Sequence, residues 1–363
     1  MTRLAAAACR SLAAAAMTTV ATTASAQWSL VDAKDKDVNL KLGFLAQPQA
    51  EFVQTVDDTG WSQNLFLRRF RIIFGGNLGS RWSFFFETDS PNLGKPNVLG
   101  MKDEGDVYIQ DAFVTYTHAD AFKVDVGMLL IPSSHNHLQS AASLLPVDYG
   151  PYTFLESPAM GGRVGRDYGV QVRGYPLGQT LEYRIGVFQG VRGTEATNDL
   201  RTVGRVAWYP FGAETGFFYT GTFQGQRRLA SLGASVDIQK SYHTYTADAY
   251  YEQPLDGGQQ GFSAQVNWMH FDGGTLVLAL RPQYDVLVEA AFHFGKGRYS
   301  PFVQYAARDV DAASGTDQSS LQGGFAWWLK GHQRNLKVSA GRLHIDGQPG
   351  RTQVLAQLQI FFY

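Results

Sequence analysis

With 363 residues, 31 Lys and Arg against 32 Asp and Glu, and a formal charge of −1, the chain lacks the positive excess on which a nucleic-acid binder rests. It is 13% aromatic and holds 39 glycines, but only 17% of its residues are charged. Beyond the N-terminal leader no run of about eighteen apolar residues occurs, which excludes a transmembrane helix and leaves strands as the means of crossing a bilayer.

In chain order, Arg3 and Arg10 bracket an alanine-rich stretch that continues through Ala13, Met17 and Val20 to Ala24-Ser25-Ala26. A charged start, a weakly apolar middle and a small-x-small end make a secretory signal peptide over residues 1–26, with the mature chain expected to begin at Gln27. The only cysteine, Cys9, falls within it. A mature chain would then have no thiol, no disulfide and no Cys-based metal site. Loss of Arg3 and Arg10 would take its formal charge to −3.

Period-two alternation then recurs at the length of a tilted membrane strand, about ten residues. Val38, Leu40, Leu42 and Phe44 alternate with Asn39, Lys41 and Gly43. Trp82, Phe84 and Phe86 alternate with Ser83, Glu87 and Asp89, with Phe85 turned inward. The same rhythm places Phe122 to Leu130 around Lys123 and Asp125, and Leu181 to Val187 around Glu182 and Arg184. It continues at 262–268, 286–293 and 321–329, and ends in Gln353-Val-Leu-Ala-Gln-Leu-Gln-Ile-Phe-Phe-Tyr363. There Val354, Ala356, Leu358, Ile360 and Phe362 suit lipid, whereas Gln353, Gln357 and Gln359 suit water. Such a tail is fit to close an outer-membrane barrel, whose last backbone edge must pair with its first strand.

Links near the N-terminus alternate in length. They are tight at 77–80, 118–121, 176–179 and 211–214, and longer at 55–62, 90–105, 132–165 and 191–199. Short periplasmic turns and long external loops give this asymmetry. The expected fold is all-β, a closed antiparallel transmembrane β-barrel over 27–363. Seventeen segments read as strands, so an even count of 16 or 18 needs either Thr275–Leu280 as an extra strand or a merger between Gly216 and Glu252. The connection from Pro132 to Gly165, with Pro146, Pro151, Pro158 and Ser133-Ser134-His135-Asn136-His137, is too long to be idle. It is expected to fold into the lumen as a constriction loop.

Leu67-Arg-Arg-Phe-Arg71, Gly75, Trp82, Glu87-Thr-Asp89 and Val126-Gly-Met-Leu-Leu-Ile-Pro-Ser133 together resemble the phosphate-selective porin family of the porin O and porin P type. So do Phe154-Leu-Glu-Ser-Pro158, Gly165-Arg-Asp-Tyr-Gly-Val170 and Tyr183-Arg-Ile-Gly-Val-Phe-Gln-Gly190. The resemblance implies a homotrimeric porin of about sixteen strands in the bacterial outer membrane, with its third loop folded inward. The chain departs from that family in its third loop, which carries His135, His137, Asp148, Glu156 and Arg163, with Arg166 just beyond, and no lysine.

On the inward face the early strands place Lys41, Arg69, Arg71, Lys123, Arg173, Arg184 and Arg205 beside Glu87, Asp89, Asp111, Asp125 and Glu182. Later strands are mostly acidic, with Asp237, Asp248, Glu252, Asp285 and Glu289 against Arg308 and Lys337. A basic sector would face an acidic one and orient solutes in the pore, unless neighbouring charges pair. Arg69 and Arg71, two residues apart on one face, are read as a positive stripe. The loop histidines are expected to face solvent rather than hold a metal, and no nucleophile elbow or phosphate-cradling loop appears. The function expected is passive diffusion of small hydrophilic solutes with a mild anion preference, phosphate or another oxyanion among them. No cofactor or enzymatic step is called for. The competing class is a receptor or scaffold barrel without an open channel.

Overall fold

The computed structural model describes residues 28–33, 37–97, 99–102, 105–311 and 315–363. The signal peptide expected over 1–26, with Cys9, lies outside the described residues. The first strands are β1 (Trp28–Ala33), β2 (Val38–Gln54), β3 (Trp61–Leu78), β4 (Trp82–Asp89), β5 (Tyr108–Ala119) and β6 (Phe122–Leu130). Then follow β7 (Arg166–Gly174), β8 (Leu181–Phe188), β9 (Arg201–Trp208), β10 (Leu229–Gln239) and β11 (Tyr242–Leu255). The last are β12 (Gln260–Asp272), β13 (Gln283–Phe294), β14 (Tyr299–Val310), β15 (Gln318–Lys330), β16 (Arg334–Ile345) and β17 (Arg351–Phe362).

Strands β2 to β17 pair antiparallel in sequence order, and β17 closes on β2, so sixteen strands form the barrel. The closing register runs from Gln353 opposite Val53 to Phe362 opposite Phe44. The seventeenth strand is β1, which pairs with Val38–Leu42, the part of β2 that reaches beyond the end of β17. It covers an edge that would otherwise present unpaired backbone. Thr275–Leu280 is a turn, held by Val277 N–H to Gly273 O and Leu280 N–H to Val277 O. The even count therefore needs neither an eighteenth strand nor a merger, because 216–228 contains no strand at all.

Alternation sorts the wall. Val126, Ile185 and Leu232 are 49%, 57% and 56% exposed on the outside, while the inward Asp125, Arg184 and Glu182 are sealed at 0%. Charged residues inside and aliphatics outside is the order a bilayer imposes. Aromatic girdles mark both rims. At the short-turn end Trp82 meets Tyr116 at 4.9 Å and Phe294 meets Tyr299 at 5.3 Å. At the long-loop end His270 stacks on Tyr284 at 4.6 Å.

The expected asymmetry of connections holds as far as β9 and then breaks. The 211–214 turn is part of a twenty-residue connection, 209–228, on the short-turn side, while β10 and β11 are joined externally by Lys240 and Ser241 alone. The β6–β7 connection, here called L3, crosses the lumen as expected. Its Leu145 and Val147 pack with Ala291, Phe302, Trp328 and Leu355 from the far wall, each buried aliphatic side chain worth about 1.5–3 kcal/mol. Gly165 closes the base of L3, with its carbonyl accepting from Ile131 N–H at 2.8 Å. Its φ of +76° and a Cβ position 2.6 Å from His137 leave room for glycine alone.

Candidate functional site: the constriction

The constriction begins with a proline. In the β2–β3 ladder Ala46 faces Phe70 and Pro48 faces Leu67, so Arg68 and Arg69 both stand opposite Gln47. Pro48 has no N–H to give the ladder, and bulges are where sheets tolerate proline. Strict alternation would send Arg68 outward with Phe70 and Phe74. The bulge turns its guanidinium inward. Arg68 Nε and Arg69 Nη2 then donate to the two oxygens of one L3 carboxylate, Asp148, each at 2.5 Å.

The rest of the layer hangs on the same wall. Arg69 also donates to Gln47 Oε1 at 2.9 Å and lies 5.4 Å from the Tyr149 ring centre. Gln47 Nε2 donates to Ala141 O of L3 and to Gln359 Oε1. Gln359 Nε2 donates to Ala142 O at 2.7 Å, and Lys337 Nζ to Pro146 O at 3.0 Å. Gln359, a water-facing glutamine of the last strand, and Gln47 of β2 are thus brackets that hold L3. Burial opposes ionisation of Asp148, but Arg68 and Arg69 outweigh it and hold its carboxyl well below the usual range.

This layer separates two cavities. On the long-loop side lies one of about 390 Å³, lined by Arg68, Arg69, Lys95, Glu51, Asp148 and Tyr149 among others. On the short-turn side lies one of about 120 Å³, lined by Arg71, Glu87, Arg166, Phe85, Phe218 and Tyr363 among others. The upper one lies between β2–β3 and β14–β17, the lower along β2–β4.

Most of the remaining expected residues point inward and are paired. Arg71, read as half of a free positive stripe, donates to Glu87 at 2.6 Å and Asp89 at 2.8 Å. It is therefore over-neutralised, and the stripe does not exist as free charge. Arg166 holds Asp111, Arg173 holds Asp125, Arg184 holds Glu182 and Arg205 holds Asp248. Lys123 reaches Asp120 at 3.6 Å near the turn, and Lys41 is half-buried near the start of β2. Asp285 is sealed opposite Arg308 in register, and Glu289 accepts from Gln304 at 2.8 Å. Acids of β10 and β11 pair with β9, Asp237 with Arg201 and Asp248 with Arg205. The basic and acidic sectors therefore meet along a seam instead of facing each other across open water. Arg201, Gln47 and the 216–223 segment were missed by the sequence reading. Only Pro48 and the run Phe217-Phe218-Tyr219, which breaks alternation, could have signalled them.

The loop histidines are not solvent-facing. His135 and His137 are each 1% exposed, because L3 lies inside the barrel, where its outer side has a wall to pack on. His135 stacks on Tyr250 at 4.4 Å, and His137 Nε2 lies 3.2 Å from Glu156 Oε1. Arg163, at the loop exit, sits 3.6 Å over the Tyr108 ring. Burial pushes the His135 imidazole down to about 4, against the pull of Asp248 and with the help of nearby Arg205. Its ordinary value is near 6.5, so the folded state needs it neutral. It costs nothing above pH 6.5 and weakens L3 docking by up to about 3 kcal/mol as pH falls from 6.5 toward 4. Thermal unfolding of the folded protein should show this loss, and His135→Gln should lose less over the same range.

A family model described as phosphate-selective porin O and P matches residues 39–285. The chain belongs to this family. It is an outer-membrane porin, a passive channel. No curated protein matches it in sequence. Among solved structures, it resembles the anion-selective porin from Comamonas acidovorans at 14% identity and TM-score 0.58, over 90% of this chain and 100% of that one. OmpF of Salmonella typhi, in complex with daunomycin, aligns at 13% identity and TM-score 0.60, over 92% and 100%. OmpT of Vibrio cholerae in its trimer form aligns at 8% identity and TM-score 0.55, over 90% and 99%. At these identities the likeness is one of fold.

Proposed function

We propose that this porin passes small hydrophilic solutes with a mild preference for anions, set at the Arg68–Arg69–Asp148 layer. The observation that carries the reading is the two-to-one ratio there: two guanidiniums share one carboxylate, which leaves one positive charge over. Lys95 is matched by Glu51 at 2.7 Å and adds nothing to the excess. One unit charge about 5 Å from a passing ion, at an effective dielectric between about 20 and 80, is worth about 1–3 kcal/mol before screening. The Arg71–Glu87–Asp89 group below carries the opposite imbalance, so the preference is weak and not that of a tight oxyanion site. The anion selectivity of the Comamonas porin supports the same direction. A homotrimer is supported by the trimer form of the Vibrio relative, and export by a leader over 1–26. The channel has no enzymatic step in this reading.

Reversal potentials of the purified protein in a tenfold potassium chloride gradient should give an anion-to-cation permeability ratio between about 2 and 10. The double change Arg68→Gln with Arg69→Gln leaves Asp148 unmatched and should move the ratio to the cation side, with conductance of the same order. An unchanged ratio would remove this layer from the pathway. Micromolar phosphate blocking chloride current would replace a general pore with a phosphate-specific one.

A further inference from the structure

We propose that residues 209–228 form a second constriction, a strap across the periplasmic mouth whose Phe218 gates the exit of the pore. The proposal rests on the channel reading and goes beyond it by naming where the path leaves the barrel.

Position is the first observation. Every other connection on the short-turn side between β3 and β16 is two to six residues long, but this one has twenty. A connection of that length inside a compact fold is either functional or without fixed structure, and this one is fixed at both walls and in the middle. Arg184 Nη1 donates to Phe217 O at 2.8 Å on the β8 side. Glu252 of β11 accepts from Phe223 N–H at 2.9 Å. Across the lumen, Thr222 O lies 2.9 Å from His332 Nε2 in the β15–β16 turn.

Between these anchors the strap is zipped to L3 through backbone. Tyr219 N–H donates to Leu138 O at 2.8 Å, and Ser140 N–H donates to Tyr219 O at 2.9 Å. Gly221 follows, and a Cβ there would sit 2.6 Å from Ser143 O, so the two segments approach as closely as backbone permits. Strap and loop therefore fill much of the lumen as one body. The cavity below the arginine layer is left against β2–β4, and the one above it lies between β14–β17 and β2–β3.

The two phenylalanines of the strap divide the work. Phe217 stacks on Phe113 at 4.3 Å and is part of the packing. Phe218 turns toward the lower cavity, meeting Phe85 at 5.4 Å, while Phe85 meets Tyr363 at 5.7 Å. The space of about 120 Å³ between these aromatics and the charged Arg71, Glu87 and Arg166 holds about four waters at liquid density. A passage of that size limits flow by size. Charge above and aromatic closure below then act in series: the arginine layer biases the ion, and Phe218 sets the size that leaves.

The test is single-channel recording of the reassembled protein. Phe218→Ala should raise conductance at least twofold and admit larger uncharged polymers, while Phe217→Ala, which faces the packed side, should leave both near wild type. Equal conductance for wild type and an assembled Phe218→Ala overturns the gate. Should that variant not assemble, Phe218→Cys serves instead, since the only cysteine of the sequence is Cys9. A charged thiol reagent should then cut the current at least by half, and an unchanged current overturns the proposal. A wild type that carries no current fails the channel reading itself and this inference with it.

Discussion

Replacing Asp148 with Asn will convert a mild anion preference into a strong one and loosen L3 at the same time. Arg68 and Arg69 then face the pathway with no carboxylate between them, and Arg69 is 3% exposed. Breaking a buried pair by removing one partner costs about 3–5 kcal/mol, less here because Asp148 and Arg68 each keep about a quarter of their side chains in contact with water. The anion-to-cation permeability ratio should rise by about tenfold, which corresponds to about 1.4 kcal/mol. The current should also become noisier as L3 loses its central tether. Asp148 stays ionised far below neutral pH in the wild type, so its clamp is present above the ordinary carboxylate range and fails only in strong acid. The difference in selectivity between wild type and the Asn variant should therefore stay flat from pH 6.5 to 8, above the range in which His135 weakens L3 docking. A ratio in the Asn variant equal to wild type would mean that the arginine pair does not meet the permeating ion.

Deleting Phe361–Tyr363 should abolish assembly of the barrel. Phe361 and Phe362 pair with Leu45 and Phe44 of β2, and Phe362 packs on Phe44 at 5.4 Å outside the wall. Phe361 N–H also donates to Gln333 O at 2.8 Å. Without these residues the edge of β2 between Gly43 and Ala46 is left unpaired at the level of the membrane, where each unmatched backbone group costs several kcal/mol. The gap would also separate β17 from β1, which cover successive parts of that edge. Heat-modifiable folded protein on a gel, at wild-type yield, would show that these three residues are not needed for closure.

How far the sequence could be read follows from what each feature depends on. The tail's alternation is a local property, and Gln357 and Gln359 are sealed inside as it implies, while Leu358 and Ile360 stay exposed. The long L3 was equally legible, because length and proline content mark a loop that cannot run idle along a wall. The charge stripe was not. Alternation can say that Arg69 and Arg71 face the lumen, but not that Asp148, seventy-nine residues from Arg69, will arrive between the chains. The histidines failed for the same reason, since solvent exposure of a loop depends on which side of the barrel it folds toward.

By itself, then, the sequence determined the wall: a period of two, lipid outside, water inside, an even closure and a tail to seal it. These are nearest-neighbour properties of a strand in a bilayer, so one chain read residue by residue carries them. The tertiary structure alone decided the contents of the lumen. There the bulge at Pro48 turned Arg68 inward, L3 met the strap, and nearly every inward charge found a partner on another strand or loop. Those outcomes depend on contacts between segments far apart in sequence, where low dielectric makes an unpaired charge expensive and favours whichever partner the fold brings within reach.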